Sequence, residues 1–222
     1  MIRRMISQYE CEVCGKKSLD RNEIQACEIK HYNTTTDVLD SWEARRARYT
    51  MTKSTYYFDH SEHNKTVFEE NEKSLKKFEE RNNLRRITIC CGFLDEENGL
   101  IEYIAKAGDD IICHCEMHKK SNDANTWVIP AWFTEDGYKN RGIGTVVLAS
   151  AIRDMKTIFG IPNHIEYIWN GQNQYVYDWL KKNFDAVCKC PIAVQKTQPG
   201  DDWESHIYEL DCNKVLRFAG VL

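Results

Sequence analysis

Residues 138–155 read YKNRGIGTVVLASAIRDM, three residues after the apolar stretch TWVIPAWFT at 126–134. Ile143, Val146, Val147, Ile152, Met155 and Ile158 recur at helical spacing, so a helix from about Thr145 to Phe159 must bury one face on a neighbouring layer. A strand, a glycine turn and a buried helix in succession are the unit from which mixed sheets are built. The turn also has a chemical reading. Gly142 and Gly144 remove side-chain bulk where a ligand would come closest. The helix start offers free N–H groups and a positive dipole end, which suit a phosphate. Lys139 and Arg141 reach toward such a group. A plain strand–turn–helix connection fits the same residues.

The rest of the chain agrees with a sheet. TDVLDSWEARRARY (36–49) reads as a helix with Val38, Leu39 and Trp42 on one face and Thr36 or Asp37 as its cap. SEHNKTVFEENEKSLKKFEERN (61–82) reads as a second, with Phe68, Leu75 and Phe78 on a narrow stripe. From Arg85 the period changes to that of strands. RRITICCGFL, LIEYIAKA, DDIICHCEMH (a strand of its own or a continuation of the one before) and NTWVIPAWF precede the glycine turn. HIEYIWN is a strand, NQYVYDWLKKNF a helix, and AVCKCPIAVQK with ESHIYELD a terminal hairpin around TQPGDD. The order is strands, helix, strand, helix, two strands: an α/β fold with a mixed α+β sheet and crossover helices. Pro130 stands inside what otherwise reads as a central strand, and its missing N–H implies a bulge or an edge.

Near the N-terminus Cys11, Cys14, Cys27 and His31 have the spacing C-x2-C-x12-C-x3-H. The first pair suits a knuckle, and Cys27 and His31, four apart, share a helical face. The set can supply the four ligands of a closed structural Zn2+ site. The spacing resembles the two-Cys, two-His zinc-finger family, with Cys27 for the first His. Tyr9 lies two before the first Cys and Ile24 three before the third ligand, as in that family. Ser18 holds the family's aromatic position, with Leu19 one residue late. Residues 1–35 are set apart as a zinc-finger-like element, and 36–222 as the domain bearing the sheet.

Charge and composition exclude other classes. Thirty basic against 34 acidic residues, a net charge of -4, disfavours a nucleic-acid partner held by bulk charge. No apolar run of membrane-spanning length occurs, so no membrane partner is expected. MIRRMISQYE does not read as a secretory signal. Ten cysteines in such a chain read as reduced cytoplasmic thiols, some of them metal ligands. Cys113 and Cys115 alternate with His114 along a strand, so the three do not converge on a metal and read as core residues, as do Cys188 and Cys190.

The stretch KNRGIG, after a strand and before TVVLASAI, resembles motif A of the GNAT acyltransferase superfamily, with Lys139 for the usual first residue. IEYIWNGQNQYVYDWLKKNF is similar to that family's motif B. The resemblance covers residues 86–212, and the two upstream helices suit it, since the family places two helices before strand two. It implies a GNAT-like acyl-CoA N-acyltransferase fold. The function it implies is acyl transfer from acetyl-CoA, the cosubstrate, to a primary amine by direct attack in a ternary complex. It implies that the pyrophosphate sits on Lys139, Asn140, Arg141, Gly142, Ile143, Gly144 and Thr145, with Asn170 a further cofactor-binding residue. It implies that pantetheine lies in a break between the family's fourth and fifth strands, and that backbone near Pro130–Trp132 meets the acyl carbonyl. A motif B tyrosine would protonate the leaving thiolate. One family spacing gives Tyr177, the other lands on Trp179, and Tyr175 is the second choice. Glu135 or Asp136 at the end of the fourth strand is a candidate general base, and Glu102 is another. Two other functions stay open: a GNAT-fold enzyme modifying a nucleobase or tRNA and docked by its finger, and a zinc-bearing binding protein without catalysis. The acceptor and the oligomeric state are not legible.

Overall fold

The structure, a computed structural model, describes residues 8–120, 123–160, 164–169, 174–193 and 204–219. Contacts divide the chain into two compact units. The first carries strands β1 (Tyr9–Glu10) and β2 (Lys17–Ser18) and helices α1 (Arg21–Tyr32), α2 (Thr36–Phe58) and α3 (Glu62–Asn82). Both long helices, placed by the sequence reading in the sheet-bearing part, group here with the N-terminal segment. They precede the sheet's first strand.

In this unit Asp20 caps α1, its side chain accepting from Asn22 N at 2.8 Å. The core is Ile24, Tyr32, Leu39 and Trp42, all buried, with Tyr32 edge-on to Trp42 at 4.8 Å. Of the finger-like apolar positions only Ile24 is inside. Tyr9 and Leu19 are exposed, because Trp42, buried on α2, supplies the bulk that a lone finger takes from an aromatic of its own. α2 runs nine residues beyond the expected Tyr49, and its cap is Thr35, without a side-chain bond, rather than Thr36 or Asp37. Tyr49, the expected end, and Tyr56 beyond it both meet Phe68 of α3, which gives the extra turns a surface to pack on.

The second unit is built on seven strands: β3 (Ile87–Asp95), β4 (Leu100–Ala107), β5 (Asp110–Lys120), β6 (Asp123–Thr134), β7 (His164–Trp169), β8 (Val187–Ala193) and β9 (Glu204–Leu210). Their order across the sheet is β3-β4-β5-β6-β7-β9-β8. DDIICHCEMH is thus a strand of its own, antiparallel to β4. β6 and β7 are parallel, which requires a crossover, and α4 (Ile143–Phe159) supplies it. α4 lies on β4, β5 and β6, burying Ile143, Val147, Leu148, Ile152 and Met155 completely. Ile158, expected on that face, is 41% exposed; the last turn is anchored by Phe159, whose ring meets Trp127 at 4.9 Å. α5 (Gln174–Phe184) matches expectation, whereas α6 (Cys212–Phe218) was not read from the sequence. It is capped by Asp211 and closes Phe218 against Trp179 and Phe184.

Cys113 and Cys115 are fully buried core residues, as their alternation implied. Burial pushes the Cys113 thiol up to about 11 and Cys115 well above its ordinary range, so both stay neutral. Cys188, read as a core residue, is exposed: β8 is the outermost strand. The side chain of Cys190 lies outside the described residues. Among the described residues no helix is long and apolar enough to cross a membrane.

Candidate active site

Pro130 does what its chemistry demands. Along the β5–β6 ladder Glu116 faces Ala131 and His118 faces Val128. Met117 is therefore opposed by two residues, Ile129 and Pro130, and this is a β-bulge. On the other side of β6 the register with β7 runs from Thr126↔His164 to Ile129↔Tyr167 and ends there. From Pro130 onward β6 keeps β5 and has no β7 pair among the described residues. Among the described residues, the backbone donors and acceptors of Ala131–Thr134 on that side therefore have no strand partner.

The glycine turn stands at this end of β6. β6 ends at Thr134, a 3-10 turn spans Asp136–Tyr138, and α4 begins at Ile143, two residues earlier than the sequence suggested. The two glycines therefore do different jobs. Gly142 is the N-cap, at φ +80°, in the left-handed region where a side chain is disfavoured. It offers no side-chain cap, so the first N–H groups of α4 point out unclaimed by a capping group. Gly144 sits inside the first turn. A Cβ there would lie 2.8 Å from Thr134 Oγ1 and 3.4 Å from Trp132 Nε1, and Trp132 Nε1 donates to Gly144 O at 3.0 Å. Gly144 lets α4 press onto the freed end of β6, a packing reason for this glycine beside the expected approach of a ligand. Gly144→Ala is expected to lower stability by about 1–3 kcal/mol, measured by urea unfolding, with Thr134→Ala in the same chain recovering part of the loss.

The basic residues of the turn are partly engaged. Lys139 Nζ lies 2.5 Å from Asp136 Oδ1, and its hydrogen bond holds that carboxyl below its usual range. The Arg141 guanidinium lies over the Tyr138 ring at 4.6 Å. Asn140 has φ +64°, Ile143 is buried and Thr145 is 7% exposed. An anion arriving here would take Lys139 from an exposed carboxylate and meet helix N–H groups at once.

On the α4 side of the sheet, Trp132 meets Tyr167 at 5.6 Å. Tyr208, paired with Tyr167 across β7–β9, meets the Tyr177 ring of α5 at 5.3 Å, and Lys181 lies 5.9 Å from that ring. Burial, then Cys115 and Tyr208, pushes the Tyr167 hydroxyl up. Burial, then Cys188 and Tyr177, does the same for Tyr208. Tyr177 is half-buried. The side chain of Tyr175 and all of Asn170 lie outside the described residues. Glu135 is exposed, and its N–H donates to Ile112 O at 2.9 Å.

Near the N-terminus, Cys11, Cys14, Cys27 and His31 come together with all four ligand atoms within 4.8 Å of one another. β1 and β2 pair Tyr9 with Ser18, Gly15 turns at φ +71°, and α1 sets Cys27 Sγ 3.5 Å from His31 Nε2. Cys11 and His31 are buried. Three thiols and an imidazole at this separation fit the tetrahedral donor set of zinc.

No protein-family model matches the sequence, and no curated protein does. Solved structures similar to the chain include an acetyltransferase from Bacillus subtilis in complex with CoA, at 14% identity over 57% of this chain and 99% of that one, TM-score 0.41. Another is an acetyltransferase of the GNAT family from Streptococcus pneumoniae, at 14% identity over 51% and 68%, TM-score 0.41. A third is spermidine N-acetyltransferase from Vibrio cholerae in complex with CoA and spermine, at 11% identity over 54% and 70%, TM-score 0.43.

Proposed function

We propose that the chain is an acetyl-CoA-dependent N-acyltransferase of GNAT type, with residues 1–35 a zinc-bearing structural element. The observation that carries this reading is the coincidence of two features at one end of one sheet. β6 parts from β7 after the Pro130 bulge, and the uncapped start of α4, reached through the 139–142 turn, stands beside the gap. The gap suits an extended, amide-bearing chain such as pantetheine, which can hydrogen-bond like a strand. The helix start suits its pyrophosphate, with Lys139 and Arg141 as cations and Asn140, Gly142, Ile143, Gly144 and Thr145 as backbone. Asn170 is retained as a further contact with the cofactor.

The chemistry then divides among this chain's groups. Free N–H groups of β6 near Ala131 polarise the thioester carbonyl. The acceptor amine attacks in its neutral form, and the thiolate leaves with a proton. Tyr177 is the proposed donor, with Tyr175 the alternative. Glu135, in the loop after β6, is the proposed general base, with Asp136 and Glu102 as alternatives. The zinc ligands would be Cys11, Cys14, Cys27 and His31, and the ion would hold the knuckle to α1.

Tyr177→Phe tests the assignment. The ring keeps its place against Tyr208 and only the hydroxyl goes. Turnover is expected to fall about 10²-fold with acetyl-CoA affinity unchanged, because the lost interaction exists only in the transition state. Acetyl-CoA consumption with a panel of primary amines measures it. Full activity in Tyr177→Phe with loss in Tyr175→Phe moves the role to Tyr175; full activity in both removes a tyrosine from the mechanism.

A further inference from the structure

The end of the sheet opposite β8 carries an arrangement that acyl transfer does not use. β3 stands there with β4 as its single neighbour among the described residues. It is nine residues long, and from Ile87 to Leu94 it reads ITICCGFL, without a charge or a proline. Edge strands are usually blunted by such residues, because their free N–H and C=O groups template further pairing. This edge is also open to solvent. Cys90, Cys91 and Gly92 are exposed, as are Phe93 at 49% and Leu94 at 37%. Charge is confined to the two ends. Arg85 and Arg86 immediately precede the strand, Asp95 closes it, and Glu96 and Glu97 follow. The edge is thus basic at one end, acidic at the other and apolar between, so it complements itself when run antiparallel.

Symmetry then sets the register. A two-fold axis normal to the sheet pairs two copies of β3 antiparallel and continues each face of one sheet into the same face of the other. Directly opposed residues share a face, so odd positions meet odd and even meet even. The midpoint of Ile87–Asp95 is Cys91, and pairing the whole strand places the axis there. Gly92 is turned toward Glu102 and Ile104, away from the side on which Tyr103 meets Asp154 of α4. Thr88, Cys90, Gly92 and Leu94 therefore belong to the face turned from α4, and Ile89, Cys91 and Phe93 to the other. On the first face Cys90 meets Gly92 of the second copy and Thr88 meets Leu94. On the other, Ile89 meets Phe93 and Cys91 meets itself. Both exposed apolar side chains of the strand, Phe93 and Leu94, are then covered, and the arginines of each copy come beside Asp95, Glu96 and Glu97 of the other. Moving the axis to Cys90 sets Arg86 against Leu94, and moving it to Gly92 sets Ile89 against Asp95, so either shift opposes a charge to an apolar side chain.

We propose that the chain forms a symmetric homodimer in which two β3 edges pair antiparallel about Cys91, joining two seven-stranded sheets into one. The occupant of the edge is a second copy of this chain, selected by the opposed charges at the strand's ends. This pairing is independent of the acyltransferase reading, since β3 lies three strands from β6 in the sheet. Main-chain hydrogen bonds supply attraction and the end charges supply direction and register. A strand-to-strand contact is small among protein interfaces, so the association is reversible and depends on concentration.

Sedimentation equilibrium of the full chain at low salt tests it. The wild-type mass should climb from one chain to two as concentration rises. Arg85→Glu with Arg86→Glu, and separately Glu96→Lys with Glu97→Lys, should each weaken self-association at least ~10-fold by setting like charges together. An equimolar mixture of the two variants should recover it, because each then offers the ends that the other lacks. Mild oxidation with diamide should give a covalent dimer in Cys90→Ser, mapped by mass spectrometry to Cys91 joined to Cys91, since opposed residues of paired strands lie within disulfide span; Cys91→Ser should lose that product. Acetyl-CoA affinity should be the same in every variant. A wild type that stays one chain at all concentrations overturns the proposal. So does a dimer that both charge variants keep, a mixture that associates no better than its parts, or a covalent link that maps elsewhere than Cys91. Each of these leaves the acyltransferase reading standing, which acetyl-CoA binding tests separately.

Discussion

Replacing Gly142 with Asp is expected to weaken acetyl-CoA binding at least a hundredfold, about 3 kcal/mol. The substitution puts a carboxylate at the N-cap of α4, where the pyrophosphate would lie. Its specificity comes from what it spares. Asp is a favoured N-cap residue and, with Asn, among the few that tolerate a left-handed backbone, so the φ of +80° at this site is strained but not prohibitive. The buried stripe Ile143, Val147, Ile152 and Met155 is untouched. Circular dichroism should therefore report a folded variant while calorimetry reports lost affinity. A folded variant with unchanged affinity would reduce the turn to a connection.

The second large effect concerns the metal. Cys27→Ser is expected to leave the chain without the roughly one zinc that the wild type should carry, and to melt the segment around α1. The reason is size. β1 and β2 are two residues each and α1 is twelve; neither a hairpin nor a helix of that length is stable alone in water. A structural zinc contributes an apparent 10–16 kcal/mol to the folding of such elements. Chelation of the wild type should reproduce the change. Metal analysis of protein purified without chelator decides it: a zinc-free wild type with α1 intact would mean that Ile24, Tyr32, Leu39 and Trp42 suffice.

Much of this was legible in the residues because each feature had a single physical cause. Pro130 has no N–H and had to interrupt a ladder, and the bulge is there. Cys113 and Cys115 alternate with His114 and had to divide between faces. Cys27 and His31 are one helical turn apart and meet. What was not legible depended on partners distant in sequence. That Gly144 also serves packing depends on Trp132 and Thr134 of β6, which lie against it. Ile158 fitted the helical stripe, but Phe159 found Trp127. Cys188 alternates like a core residue and lies on an edge strand, a property of sheet order alone. His114 and Glu102 are on different strands, and only the register brings them to 3.0 Å.

Calorimetric titration of the wild-type chain with acetyl-CoA tests the central claim most directly. The account predicts saturable binding of one molecule per chain, weakened when the cofactor's pyrophosphate is missing, as in acetyl-pantetheine. A flat titration of folded, zinc-loaded protein would contradict it, as would equal affinity for the two compounds.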